Sequence, residues 1–242
     1  MSSSDSEAKQ FAAARQRPLT TVVLAASVDG KISDVGRSHP TFGSKHDFDH
    51  LEQQVAAADA VLFGSATLRA GGTAMRVVNP ARIEQRVRDG KPEQPVQIVC
   101  TRTGDLDPAL PFFRQPIPRY LLTTLEGAAR WQDRMGFDRV LSAQTKEGQI
   151  DWHRVLNELY QAGVSRIAVL GGGEVVAALL EADLLDELHL TVCPILLGGK
   201  DAPTPVAGAG FLQDCAPRLE LVGVKQIDGE LFLHYRVLHR QD

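Results

Sequence analysis

The chain has 242 residues, which at about 150 residues per domain allows one or two domains. With 43% apolar and 23% charged residues it reads as an ordinary globular protein, not a disordered one. A net charge of -4 argues against a general nucleic-acid binder, and no apolar run approaches the ~18 residues of a membrane helix.

The first 17 residues, MSSSDSEAKQFAAARQR, lack the cationic start and apolar core of a secretory signal. Their Ser and charge content predicts a disordered tail over 1–17 ahead of a single domain over 18–242. Runs rich in β-branched and apolar residues then predict strands at Thr20–Ala26, Asp59–Phe63, Val96–Cys100, Arg119–Thr123, Arg139–Leu141, Arg166–Leu170, Glu187–Cys193, Leu219–Val224 and Leu231–Leu238. Helices are predicted at Lys45–Ala57, Asp151–Ala162 and Glu174–Glu181. The first of them opens with Ser44-Lys45-His46-Asp47, a capping-box variant that places Ser44 at the N-cap. The polar, Arg-rich stretch Gly71–Gln94 reads as a long loop with a short helix near Ala81–Val87.

Strands alternating with helices imply mostly parallel pairing with crossover helices. The end of the chain differs, because Asp228-Gly229 between two strand-like runs is a hairpin turn. The expected fold is therefore α/β, a mostly parallel sheet closed by an antiparallel C-terminal hairpin. Cys100, Cys193 and Cys215 are an odd number with no C-x-x-C pair, which excludes a disulfide framework and a Cys-rich zinc site and points to a reducing cytoplasm.

The strongest local chemical signal is Arg166-Ile167-Ala168-Val169-Leu170 followed by Gly171-Gly172-Gly173 and then Glu174-Val175-Val176. A buried strand running through glycines into a helix aims free backbone N–H groups and the positive helix end at one spot, which suits a phosphate. It is neither a Rossmann fingerprint, whose third glycine would fall at Val176, nor a P-loop, since no Gly-Lys-Ser/Thr follows. A tight strand-to-helix turn without a ligand is the competing reading of the run alone. His46 and His50 have the H-x-x-x-H spacing of a zinc helix, but Asp47 stands where a catalytic Glu belongs and no third ligand is placed. No metal is expected there. Gly64-Ser65-Ala66-Thr67 is not a nucleophile elbow, which needs its Ser two residues after the first Gly.

Three segments taken together carry more than any one: Leu24-Ala25-Ala26-Ser27-Val28-Asp29-Gly30-Lys31-Ile32-Ser33, Ala58 to Ala70, and Val169 to Gly199. In this order and spacing the chain resembles the reductase domain of riboflavin biosynthesis, the C-terminal half of RibD-type enzymes and a relative of dihydrofolate reductase. The resemblance runs from about Pro18 to Val237 and implies a dihydrofolate reductase-like sheet, NADPH as cofactor and a homodimer. Such enzymes reduce the ribosyl group of an aminopyrimidine ribosyl phosphate to an open ribityl chain. The zinc signature of the deaminase half, H-x-E with P-C-x-x-C, has no counterpart in these residues.

Carried over by position, the resemblance implies cofactor contacts at Gly64 and Thr67, at Thr101 and Arg102, and at Gly171, Gly172, Gly173, Glu174 and Val175. Arg102 is the residue expected at the 2′-phosphate that separates NADPH from NADH. Ser27, Asp29 and Lys31 match the segment lining the substrate pocket, with Lys31 or Arg69 for the substrate phosphate and Asp29 as the remaining candidate acid. Two positions depart from the family. Its acidic pair and proline are Gly71, Gly72 and Thr73 here, and the Glu that precedes its glycine pair is Gly171. The missing carboxylates leave two alternatives open. One is a reductase of another heterocycle such as dihydrofolate, gripped by Asp47 or Asp49, and the other is a non-catalytic nucleotide-binding relative.

Overall fold

A computed structural model describes residues 3–239. Its elements, in chain order, are α1 (Ser3–Arg15), β1 (Leu19–Ser27), α2 (Lys45–Ala57), β2 (Ala60–Gly64), α3 (Ser65–Gly71), α4 (Pro80–Arg88), β3 (Val96–Cys100), β4 (Arg119–Thr123), α5 (Leu125–Ala129), β5 (Arg139–Ser142), α6 (Trp152–Gln161), β6 (Arg166–Val169), α7 (Gly173–Glu181), β7 (Glu187–Cys193), β8 (Arg218–Ile227) and β9 (Glu230–Leu238). The strands form a nine-stranded sheet in the order β5-β4-β3-β2-β6-β1-β7-β9-β8. β1 to β7 pair in parallel, and β9 joins β7 antiparallel with β8 outside it.

Strand alternation divides the core into two layers. Leu62, Ile98 and Val169 project to one face with Leu156 and Leu159 of α6 and Val176 and Leu179 of α7. Val61, Phe63, Val99 and Leu121 project to the other, against Val55 of α2 and Leu68 of α3. The central strands are buried on both faces, which is why they read as continuous apolar runs. All nine predicted strands and the three main helices are found with small shifts at their ends, and the short helix is α4, capped by Asn79 with Pro80 in its first turn.

Within the segment expected to be a disordered tail, Ser3–Arg15 is helical, and residues 1–2 lie outside the described residues. Ala8 and Ala12, four residues apart on one helix face, are both buried. The chain leaves α1 through Gln16 at φ 55°, and Arg17 then forms a bidentate pair with Asp186, both bonds 2.7 Å. Small residues and one long-range ion pair anchor α1, so its polar composition did not reveal it. α3 and α5, of seven and five residues, are too short to leave a hydrophobic period. Among the described residues no helix is long and apolar enough to cross a membrane.

Candidate active site

The C-terminal ends of β2, β3 and β6 lie side by side, with Gly64 in register with Cys100. The Gly64 N–H donates to the Gly171 carbonyl at 3.3 Å, so the turn after β6 crosses directly onto the end of β2. Gly171 and Gly172 take φ of 109° and 82°, which turns the chain from β6 into α7. A Cβ on Gly172 would stand 3.5 Å from the Gly64 Cα and 3.7 Å from the Thr67 hydroxyl, and one on Gly64 would stand 3.5 Å from a methyl of Val175. Gly64, Thr67, Gly171, Gly172 and Val175 are thus brought together, with Gly64, Gly171 and Val175 buried and Gly172 and Thr67 partly exposed.

α7 starts beside them with no side-chain cap, since its N-cap residue is Gly172. Uncapped first-turn N–H groups at the positive end of a helix suit a phosphate. These residues therefore fit the pyrophosphate of a dinucleotide. Gly173 has a different neighbour: a Cβ there would stand 2.6 Å from the Thr204 carbonyl, so its glycine accommodates the loop over the start of α7. Glu174 is exposed in the first turn of α7. Thr101 and Arg102 follow β3, the strand beside β2. Thr101 is buried, and the Arg102 carbonyl accepts from Thr123 and Thr124 while its side chain is exposed.

The substrate-side predictions fare differently. Ser27 is buried, and its hydroxyl accepts from the Lys31 N–H at 2.9 Å, closing the turn after β1. The Asp29 carboxylate accepts from the N–H groups of Leu197 at 3.0 Å and Gly198 at 2.7 Å, which fastens this turn to the loop after β7. The Leu197 bond foremost, then bonds from Ser27 and Gly198, hold its pKa down to about 2. A carboxylate bonded in this way fastens the turn, and its low pKa does not favour proton donation. The Lys31 ammonium reaches the Ala202 carbonyl at 3.4 Å, and Arg69 is exposed in the last turn of α3.

A second acid lies at the same end of the sheet. In a capping box the acid at the third helical position bonds back to the N–H of the cap. Ser44 does cap α2, but its N–H donates to Glu230 at 2.8 Å and its hydroxyl bonds the same carboxylate at 2.6 Å. Asp47 is thereby released from the box and bonds Thr191 on β7. Thr191 pairs with Ala25, two residues from Ser27 at the end of β1. Burial pushes the Asp47 carboxyl above its ordinary value, and the Glu230 charge adds to the rise. The Cys193 thiol, in contact with Glu230, is pushed up to about 12 by burial and the two carboxylates, so it stays protonated and inert. The capping-box spacing makes Asp47 visible in sequence. Its chemistry depends on Glu230, at the far end of the chain. Asp49, the other candidate on this helix, pairs with Arg82 at 2.7 Å.

The sequence profile of the RibD C-terminal domain matches residues 18–233. The chain belongs to this family. Among curated relatives, the 2,5-diamino-6-ribosylamino-4(3H)-pyrimidinone 5′-phosphate reductase of Archaeoglobus fulgidus is 29% identical over 86% of this chain and 94% of its own. The enzyme of the same name from Methanothermobacter thermautotrophicus is 25% identical over 91% and 99%. The riboflavin biosynthesis protein RibD of Bacillus amyloliquefaciens is 26% identical over 89% of this chain, which spans only 56% of that longer protein. Among solved structures, a pyrimidine reductase-like protein from Corynebacterium diphtheriae superposes with a TM-score of 0.78 at 19% identity, covering 99% of this chain and 100% of that one. The riboflavin biosynthesis reductase of Saccharomyces cerevisiae superposes at 0.66 with 17% identity, covering 95% and 98%. RibD-type reductases thus share the parallel sheet and its antiparallel hairpin.

Proposed function

We propose that this RibD-type chain is an NADPH-dependent reductase of a ribosylaminopyrimidine 5′-phosphate in riboflavin biosynthesis, working in the cytoplasm as a homodimer. The observation that carries the reading is the glycine turn of Gly64, Gly171 and Gly172 at the uncapped start of α7, in a chain similar over nearly its whole length to stand-alone pyrimidine reductases. Those relatives are named for the 2,5-diamino ring, and the aminouracil is the substrate that the family resemblance implies. The exposed apolar face formed by Leu219, Leu221, Val224 and Leu231 on β8 and β9 supports pairing with a second copy.

A bound reduced nicotinamide supplies a hydride for C1 of the ribosyl group. Opening the ribosyl ring to its imine and reducing that imine also consumes one proton. The residue assigned to hold it is Asp47, a half-buried carboxyl whose hold on its proton is strengthened by burial and by the Glu230 charge. Thr191 fixes the orientation of Asp47, and Glu230 fixes the start of α2 that carries it. Backbone N–H groups of Gly173 and Glu174, with Thr67, would hold the pyrophosphate, and Arg102 would hold the 2′-phosphate. Lys31 and Arg69 are assigned to the substrate phosphate.

One observation favours a second reading, a pterin reductase: Asp47 sits on the first helix after β1, where a carboxylate would grip a pterin ring. NADPH oxidation measured with the diaminopyrimidinone, the aminouracil and dihydrofolate distinguishes them. Turnover of a ribosylaminopyrimidine with a ribityl product supports the main reading. Turnover of dihydrofolate alone replaces it, and NADPH binding without any turnover leaves a nucleotide-binding protein.

A further inference from the structure

Away from the glycine turn, nearer the start of β7, three metal-ligating residues converge. His189 on β7 and His234 on β9 are direct ladder partners, and Glu187 lies two residues before His189 on the same face of the strand. The two imidazoles stack with centroids 4.1 Å apart and planes 11° from parallel. One ligand atom from each of Glu187, His189 and His234 lies within 4.8 Å of the others. His50 of α2 packs on His189 at 5.2 Å and on Phe232 at 5.6 Å, closing the far side of the cluster.

The His234 Nε2 atom is buried and has no hydrogen-bond partner. It faces a Glu187 oxygen at 3.7 Å, too long for a hydrogen bond. A buried polar nitrogen left in this way is costly. An ion held between the nitrogen and the carboxylate satisfies both. The other Glu187 oxygen accepts from the Thr21 hydroxyl at 3.2 Å, the kind of outer bond that orients a metal-binding carboxylate. Opposite His234 the next strand carries Gly223, with open space where a side chain would stand, so the cluster has room at its edge.

We infer that Glu187, His189 and His234 bind one divalent transition-metal ion of the zinc class. Two imidazole nitrogens and one carboxylate oxygen suit Zn²⁺, Co²⁺ or Ni²⁺ and not Mg²⁺ or Ca²⁺, which prefer all-oxygen sites. Tetrahedral bonds of about 2.1 Å place ligand atoms about 3.4 Å apart, so small ring rotations close the site. Three protein ligands leave one position for water. The ion would join β7 to β9 and so fasten the C-terminal hairpin to the parallel sheet. The pair His46 and His50 plays no such part as a unit, since His46 turns to Asp228 at 3.0 Å and His50 to His189.

The test uses untagged full-length protein stripped with chelator and titrated with Co²⁺ alone, followed by visible ligand-field absorption, with Zn²⁺ competition. One Co²⁺ per chain, displaced by Zn²⁺ and raising the melting temperature, is the expected result. His234→Asn and Glu187→Gln are each expected to weaken binding more than about tenfold, and Thr21→Val about tenfold through the outer bond. Circular dichroism of each metal-free variant verifies that it folds, and Glu187→Gln keeps the shape of the site if His234→Asn does not. Absence of saturable Co²⁺ binding, or equal binding by the wild type and Glu187→Gln, overturns the proposal and leaves a water between His234 and Glu187.

Discussion

Gly64 and Gly171 meet at the ends of β2 and β6, the N–H of the first bonded to the carbonyl of the second at 3.3 Å. Side chains at either position would crowd Val175 or Leu24. Gly171→Ala places a Cβ 3.2 Å from the Leu24 side chain at a φ of 109°. That backbone costs a non-glycine residue about 1–3 kcal/mol. The expected outcome is a lowered melting temperature and NADPH affinity weakened about tenfold or more, read by fluorescence titration. Unchanged affinity would remove Gly171 from the cofactor site.

Asp47→Asn tests the proton donor. NADPH binding is expected to persist while kcat falls by about 10²- to 10⁴-fold. In the wild type, kcat/KM falls as pH rises through the elevated pKa of Asp47, and this limb disappears in the variant. The linked effect on stability has a definite sign. A carboxyl whose pKa is higher folded than unfolded favours the fold below its unfolded pKa, and that advantage is lost as pH rises through the folded one. Asn never ionises, so the variant is expected to gain stability over the wild type at neutral pH and lose that gain in acid. A rate within a few-fold of wild type would exclude Asp47.

Asp29→Asn separates the two candidate acids. Because Asp29 stays ionised down to about pH 2 and is bonded to Leu197 and Gly198, the substitution is expected to loosen residues 194–199 without abolishing hydride transfer. Hydrogen exchange at Leu197 and Gly198 rises, and kcat stays within about an order of magnitude of wild type, well short of the loss expected on removing a general acid. A loss as large as that of Asp47→Asn would return Asp29 to the chemistry.

Arg17→Met tests why α1 is ordered. It leaves Asp186 buried without its main partner, a change that costs about 3–5 kcal/mol for pairs of this kind. Burial by itself would raise the Asp186 pKa, but Arg17, His239 and the Thr20 N–H together hold it below its ordinary value. The stability this contributes is present above the unfolded carboxylate pKa and lost as pH falls through the depressed one. The variant is expected to melt lower at neutral pH, to lose most of the difference in acid, and to expose α1 to proteolysis. Equal melting curves at pH 7 would show that the pair does not hold α1.

The strands were legible because buried parallel strands are continuous apolar runs bounded by turn residues, and Asp228-Gly229 announced the hairpin. The glycine turn into α7 was legible for a related reason: Gly171 and Gly172 must adopt backbone conformations that other residues resist. What escaped depends on contacts between distant segments. α1 is held by two alanines and by Asp186, 169 residues beyond Arg17. Asp47 obeys a capping spacing that Glu230 redirects. His189 and His234 become neighbours only through the register of β7 and β9, which no local pattern displays. The bonds of Asp29 to Leu197 and Gly198 were hidden for the same reason, since an Asp-Gly turn looks alike whether its carboxylate faces substrate or closes a loop.

Transfer of label from NADPH deuterated at the reactive nicotinamide carbon tests the central claim most directly. With a ribosylaminopyrimidine 5′-phosphate as substrate, mass spectrometry and NMR of the product are expected to show a ribityl chain carrying one deuterium at C1. Consumption of substrate without label at C1, or no product from either pyrimidine while NADPH binds, would contradict the assignment of this site to ribosyl reduction.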